Sequence, residues 1–475
     1  MSTAKPFPSA LIALPLVLVA FLLHATVLGL TFFSDDFSVI HRIGVQGDLG
    51  TGSFFRPLPD WTFYLNHLIT GASPIGFRVV NVFLLGFNGW LVYLLGRNLM
   101  TNTEDTRWSP ALVAALLFVC YPFHNEPQLW IIGRSTAMAT MFTLLALVVA
   151  TSHASLINKC ITVGLCGAIG AMCYELALLL PLLLAVMFLL TPKQERRTWW
   201  AMVFVASAVA GSNLLLRSMF TGNVANDYGA SFFSRDITSY FSMSAKVFGR
   251  LLLPPDPAWA ERGLLLAALS VALLVIAFLL LRRTKNEPVE RKLFIALAGL
   301  TVVACGIAIV GGVSTRTSES DRFLYLPSAF LCLLIASSIF TLVRGWSRLA
   351  VVATLVIASV FAMRQNHANW IAASGTITQI VRATPQAPIL GHLFVHGLPG
   401  DHNGAFIFRH GFHEALLFAE HDTSRVIRAD TLWSNEADNV PPLALSFENK
   451  DDTLHVLTID RLVRWNGKEF DDMPH

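Results

Sequence analysis

The chain has 475 residues, of which 54% are hydrophobic and only 14% charged, whereas a soluble globular protein carries roughly 25% charged residues. Its formal net charge of +3 comes without a basic arm or stripe, which argues against nucleic acid as a partner. The six cysteines lie in or beside apolar runs, without the spacing of a zinc site or a secreted disulfide framework.

The first apolar run, Ser9 to Thr31, follows one basic residue, Lys5. It is longer than a signal-peptide core and lacks a small-x-small cleavage site, so it reads as a retained span with its N-terminus inside. Further spans are expected near residues 78–100, 109–121, 129–151, 160–173, 175–191, 198–217, 262–281, 293–312, 323–342 and 349–363, giving eleven helices and an outside C-terminus. The inner loops then hold Arg107, Lys159, the 193–197 stretch, Arg282, Arg283, Lys285, Arg291, Lys292, Arg344 and Arg348, as the positive-inside rule requires. Between 160 and 191 the runs flanking Cys173-Tyr-Glu175 fit either one bent helix or two short ones.

Two outer loops are too long for connectors. Residues 32–76 contain Phe55-Arg-Pro-Leu-Pro-Asp-Trp-Thr-Phe-Tyr-Leu-Asn-His-Leu68, a mixture suited to a helix lying in the headgroup layer. Residues 218–261 carry the polar Thr221–Tyr228, an amphipathic Ser234–Leu253 and the closing Pro254-Pro-Asp-Pro257. After Met363 the apolar runs give way to alternation, as in His392–His396, Ala405–Arg409 and Leu454–Asp460. The expected fold is therefore an all-α polytopic membrane region over 1–363, followed by a small α/β or mostly β extracytoplasmic domain over 364–475.

Asp35 and Asp36 stand directly after the first span, where two adjacent carboxylates raise one another's proton affinity and suit one of them to take a proton from an attacking hydroxyl. As an alternative, both are ordinary interfacial loop residues. The turn Tyr121-Pro-Phe-His-Asn-Glu-Pro127 with Trp130-Ile-Ile-Gly-Arg134 presents His124, Glu126 and Arg134 between helix-stopping prolines, although a snorkelling arginine in a plain turn fits the same pattern. Glu175 begins another apolar run, where an unpaired carboxylate would be costly. Arg322, in Ser318-Glu-Ser-Asp-Arg322, has the chemistry to hold a phosphate. Helix counting puts Asp35, Asp36, Arg56, His124, Glu126, Arg134, Glu175 and Arg322 on one side of the membrane. Six histidines between His392 and His421 match no complete zinc set, so no metal site is assigned.

Ser34-Asp-Asp-Phe37, Phe55-Arg-Pro-Leu58, Tyr121-Pro-Phe-His-Asn-Glu126 with Gly133-Arg134, Tyr174-Glu175 and Asp321-Arg-Phe-Leu-Tyr-Leu-Pro-Ser328 together resemble the GT-C glycosyltransferases. The pattern is most similar to the membrane part of the transmembrane and tetratricopeptide-repeat O-mannosyltransferases and to protein O-mannosyltransferases, over about residues 10–345. The resemblance implies a GT-C-like bundle transferring a hexose, mannose being favoured, from a polyprenyl-phosphate donor to a hydroxyl of a protein, glycan or lipid. It implies direct, inverting displacement, with Asp35 or Asp36 as base and Arg322, assisted by Arg56 or Arg134, stabilising the phosphate. His124, Glu126 and Glu175 complete the implied site. No cofactor is required, a divalent ion being left open, and the expected location is a prokaryotic inner membrane with an extracytoplasmic site. The chain departs from that family in lacking a tetratricopeptide pattern. The competing readings are a transporter or lipid flippase, which would place charges at mid-span and often show inverted repeats, and a noncatalytic membrane subunit.

Overall fold

The computed structural model describes residues 9–50, 55–100, 109–191, 195–222, 236–258, 263–388, 391–428 and 461–473. The polar stretch from residue 223 to Tyr228, the start of the amphipathic segment before Asp236 and the expected strand Leu454–Asp460 lie outside them.

Every expected span falls on a helix. Seven of the helical segments among the described residues are long and apolar enough to cross a membrane: Ala10–Val27, Pro74–Leu99, Ile131–Ala150, Arg196–Thr221, Pro288–Gly311, Asp321–Leu342 and Trp346–Ala383. Pro110–Val119, Leu156–Ala171 and Glu175–Leu190 are shorter apolar helices, and Gly263–Arg283 supplies the remaining expected segment. The chain is thus a multi-pass integral membrane protein. The doubtful region resolves into two short helices because Met172, Cys173 and Tyr174 break the ladder, Tyr174 taking an extended backbone. The last helix continues twenty residues beyond its expected end at 363, to Ala383. Apolarity stops at the interface, whereas the helical backbone runs on through polar residues.

The chain divides into two compact units. The first comprises residues 1–28 and 48–367. Its helices approach closely where side chains are small, as membrane helices do in the absence of water. A Cβ on Gly86 would lie 2.5 Å from the Val17 backbone, one on Gly89 would lie 2.5 Å from a Val119 methyl, and one on Gly96 would meet Ala111. The Pro57–Thr70 helix, begun by proline at its first turn, buries Pro59, Asp60, Phe63 and Asn66. It leaves Trp61, Leu65, Leu68 and Ile69 exposed, the apolar edge that an interfacial helix offers to lipid.

The second unit comprises residues 29–47 and 368–475. Its four-stranded sheet has the order β4-β1-β5-β6, with β1 Leu393–His396, β4 Val426–Arg428, β5 Arg461–Trp465 and β6 Phe470–Asp472. β1 runs parallel to both β4 and β5, while β6 returns antiparallel on β5. A small hairpin, β2 Asp401–His402 and β3 Ala405–Phe406, and the helix Phe412–Phe418 lie between β1 and β4 in sequence. The α/β expectation holds.

Candidate functional site

In the first unit, Arg56, Glu126, Glu175 and Arg322 are joined through Tyr174. Glu126 accepts from the backbone N–H of Arg322 at 3.0 Å and is ion-paired with its Nη1. The same guanidinium points Nε at the Tyr174 hydroxyl, 3.4 Å away, and lies over the rings of Trp130 and Phe323. Arg56 covers the face of Tyr174, its Cζ 4.3 Å from the ring centroid, and donates to Glu175 Oε2 at 2.9 Å. Arg217 donates to Glu175 Oε1 at 2.7 Å, to Asn213 Oδ1 at 2.9 Å and to the Ala171 carbonyl at 3.0 Å.

Local backbone explains how Arg322 and Asp321 turn apart. Ser320 has φ +70° and starts a single 3-10 turn over Asp321–Leu324. Asp321 then pairs with Arg250, both buried, while Arg250 also donates to the carbonyls of Ser314 and Leu253 and lies over Phe123. Gly133 permits the opposite wall, since a Cβ there would fall 2.7 Å from Pro127 Cα and 2.8 Å from the Glu126 carbonyl oxygen.

Sequence reasoning did not single out Arg217 and Arg250. Arg217 ends an apolar run and Arg250 nearly ends an amphipathic segment, positions at which a basic residue ordinarily snorkels. With both included, guanidiniums 56, 217, 250 and 322 face the carboxylates Glu126, Glu175 and Asp321. The partly exposed side chains are Arg322 at 15%, Arg56 at 17% and Glu175 at 22%; the other four are buried. Arg322 Nη2 has no hydrogen-bond partner among the described residues, having spent Nη1 on Glu126 and Nε on Tyr174.

Two expected members stand apart within this unit. Arg134 is buried and donates to Asn81 Oδ1, Asn66 Oδ1, the Phe77 carbonyl and Thr62, over the ring of Phe63. Its donors tie the Pro57–Thr70 helix to its neighbours, away from the cluster at Tyr174. His124 is likewise buried, with Nε2 2.8 Å from the Ser328 hydroxyl and its ring against Tyr325, Tyr121 and Phe118. Because Ser328 gives its own proton to the Tyr325 carbonyl, His124 Nε2 is the donor of that contact. Burial holds the imidazole well below its ordinary range.

Asp35 and Asp36 belong to the second unit. Ser34 has φ +44° and ψ −117°, a costly conformation for a serine. It is pinned by its N–H to the Ile407 carbonyl at 3.0 Å and by its hydroxyl accepting from the His410 N–H at 3.2 Å. Asp36 is fully buried, and its carboxylate accepts from the Phe33 N–H at 3.2 Å while its own N–H bonds the Phe33 carbonyl. Asp35 is partly exposed, with the Ser34 hydroxyl 3.4 Å from Oδ1. The two neighbouring carboxylates therefore have different surroundings, one closing a turn and one reaching the surface. The six histidines between His392 and His421 form no metal-holding group with other His, Cys, Asp or Glu among the described residues.

No family model matches the chain. Curated relatives match over part of it: the protein O-mannosyl-transferase Tmtc1 of Drosophila melanogaster is 34% identical over 99 residues, covering 21% of this chain and 11% of the relative. The human protein O-mannosyl-transferase TMTC2 is 33% identical over 111 residues, covering 22% and 12%, and human TMTC1 is 37% identical over 92 residues, covering 19% and 10%. The match thus spans about a tenth of those relatives' length, and over that stretch it bears out the likeness read from the motifs. Among solved structures, ArnT from Cupriavidus metallidurans bound to undecaprenyl phosphate aligns over 88% of this chain and 89% of its own, at 13% identity and a TM-score of 0.47. The Archaeoglobus fulgidus oligosaccharyltransferase complex with zinc and sulfate aligns over 81% and 60%, at 12% identity and a TM-score of 0.46.

Proposed function

We propose that the protein is a GT-C-type membrane glycosyltransferase that moves a hexose from a polyprenyl-phosphate donor to an acceptor hydroxyl on protein, glycan or lipid. The observation that carries the reading is the pair of partly exposed guanidiniums at Tyr174, Arg56 and Arg322, the latter with its Nη2 uncommitted among the described residues. Such a cluster suits a phosphate that gains charge as it leaves, because guanidiniums already held by Glu126, Glu175 and Tyr174 need little reorganisation. Mannose is favoured by the relatives' names.

Arg322 takes the donor phosphate and Arg56 assists. The acceptor oxygen attacks the anomeric carbon as the bond from that carbon to the phosphate oxygen breaks. The polyprenyl phosphate leaves with the electron pair, and the hydroxyl proton passes to Asp35. The anomeric configuration inverts in this single displacement. Asp35 is preferred to Asp36 as base because its carboxylate is partly exposed, whereas that of Asp36 is buried against the Phe33 N–H. Glu126, Glu175, Arg217 and Tyr174 position the two binding arginines. The site faces the extracytoplasmic side, in a prokaryotic inner membrane.

The test is sugar transfer from a panel of radiolabelled polyprenyl-phosphate hexoses by the purified protein in lipid, with Asp35→Asn, Asp36→Asn and Arg322→Ala alongside and each shown to fold. Turnover with one donor, lost in Asp35→Asn and Arg322→Ala, is expected. Absence of both turnover and donor binding across the panel would overturn the reading in favour of transport or a subunit role.

A further inference from the structure

The helices Leu156–Ala171 and Arg196–Thr221 meet the arginine cluster at their C-terminal ends, where Arg217 bonds the Ala171 carbonyl. Their N-terminal ends, with the C-terminal ends of Pro74–Leu99 and Arg134–Ala150, line a half-open cavity of about 480 Å³. Its polar lining includes Thr151, Ser152, His153, Lys159, Thr198 and Trp199.

Lys159 is the unusual member. It is only 8% exposed, yet it lines the cavity and its ammonium has neither an ion pair nor a hydrogen bond among the described residues. The one carboxylate in the lining, Glu195, is exposed and not paired with it. The Lys159 alkyl stem is buried and the ammonium opens into the cavity without a direct counter-charge among the described residues. Two helix N-termini and two helix C-termini meet at this end, so their opposite partial charges largely offset one another and Lys159 carries the charge of the site. An anion in the cavity would supply the counter-charge that the Lys159 ammonium lacks among the described residues.

The position specifies which anion. The cavity lies at the ends of membrane-crossing helices, the level of lipid headgroups. Arg196 and Arg197 are exposed beside it, and so are the apolar side chains of Leu156, Leu189 and Trp200, which suit an acyl chain better than water. We propose that this cavity binds the phosphate of an acidic phospholipid headgroup, with the Lys159 ammonium as its counter-charge, at the end of the helices remote from the arginine cluster. The assignment does not depend on the transferase reading.

The full-length protein in phosphatidylcholine–detergent micelles is titrated with phosphatidylglycerol, with added phosphatidylcholine or with sodium phosphate, and thermal unfolding is followed. Phosphatidylglycerol raises the Tm saturably and the other two do not. In Lys159→Gln the apparent affinity for phosphatidylglycerol falls about five-fold or more, the loss of roughly one lipid–lysine attraction, whereas Lys159→Arg retains the response. Without acidic lipid, Lys159→Gln is no less stable than the wild type, because the ammonium has no partner to lose among the described residues. An unchanged phosphatidylglycerol response in Lys159→Gln overturns the proposal, and so does a wild-type shift reproduced by sodium phosphate, which would make the ligand a soluble anion. If Lys159→Gln does not fold, native mass spectrometry of the wild type decides: selective retention of phosphatidylglycerol supports the site and equal retention of phosphatidylcholine refutes it.

Discussion

Arg56 rests on the face of Tyr174, its Cζ 4.3 Å from the ring centroid, while the hydroxyl at the far edge of the same ring meets Arg322 Nε at 3.4 Å. One aromatic side chain thus spaces two guanidiniums that would otherwise repel. Tyr174→Phe keeps the stacking and loses only the weak hydroxyl contact, so donor KM should rise by less than about five-fold, whereas Tyr174→Ala loses both and should cost roughly ten-fold or more in kcat/KM. Steady-state kinetics against donor concentration distinguishes them, and equal effects would remove the spacer role.

The two aspartates should separate cleanly. Asp35→Asn is expected to lower kcat by about 10²- to 10⁴-fold with the Tm unchanged. Asp36→Ala deprives the Phe33 N–H of its acceptor, so it should cost about 1–3 kcal/mol of stability. Single-turnover rates and thermal unfolding on the same samples give both readouts, and the reverse pattern would transfer the base role to Asp36.

Arg134→Met should lower the Tm sharply, since it leaves Asn81 Oδ1 and Asn66 Oδ1 without the guanidinium that donates to them inside the bundle, a cost of about 1–3 kcal/mol each. Donor KM measured on the folded fraction should stay within about two-fold of the wild type. A selective loss of donor affinity would restore Arg134 to phosphate binding.

His124 predicts an acid sensitivity. Burial lowers its folded-state affinity for a proton below that of an unfolded histidine near pH 6.5. Its contribution to stability is therefore complete above pH 6.5 and is lost as pH falls below that value, with a slope of at most about 1.4 kcal/mol per pH unit. Between pH 7.5 and 5 the Tm of the wild type should fall more steeply than that of His124→Gln. Parallel curves would show that His124 does not titrate in this range.

The positions of the helices were legible because a bilayer imposes length and apolarity directly on the sequence. The short pair around Tyr174 was the exception, since its break depends on backbone geometry at three residues rather than on composition. In the candidate site, Glu126, Glu175 and Arg322 were visible as charges in apolar surroundings. Arg217 was not: what sets it apart is its bond to Glu175, 42 residues away, and no local pattern encodes that pairing. At Arg134 proximity to a motif suggested ligand contact, and no local pattern showed that four neighbouring residues take its donors.

Gly411, with φ +78°, leaves room for the Ser34 carbonyl oxygen, which a Cβ there would approach to 2.3 Å. Residues nearly four hundred positions apart therefore constrain one another. A chain trimmed before Ala368 would keep every residue assigned a role in the transfer, yet it would shed the backbone partners that hold Ser34 in its strained shape. The segment around Gly411 is in this sense the mould in which the aspartate loop is cast, and its mutations would be felt by a segment hundreds of residues earlier in the chain.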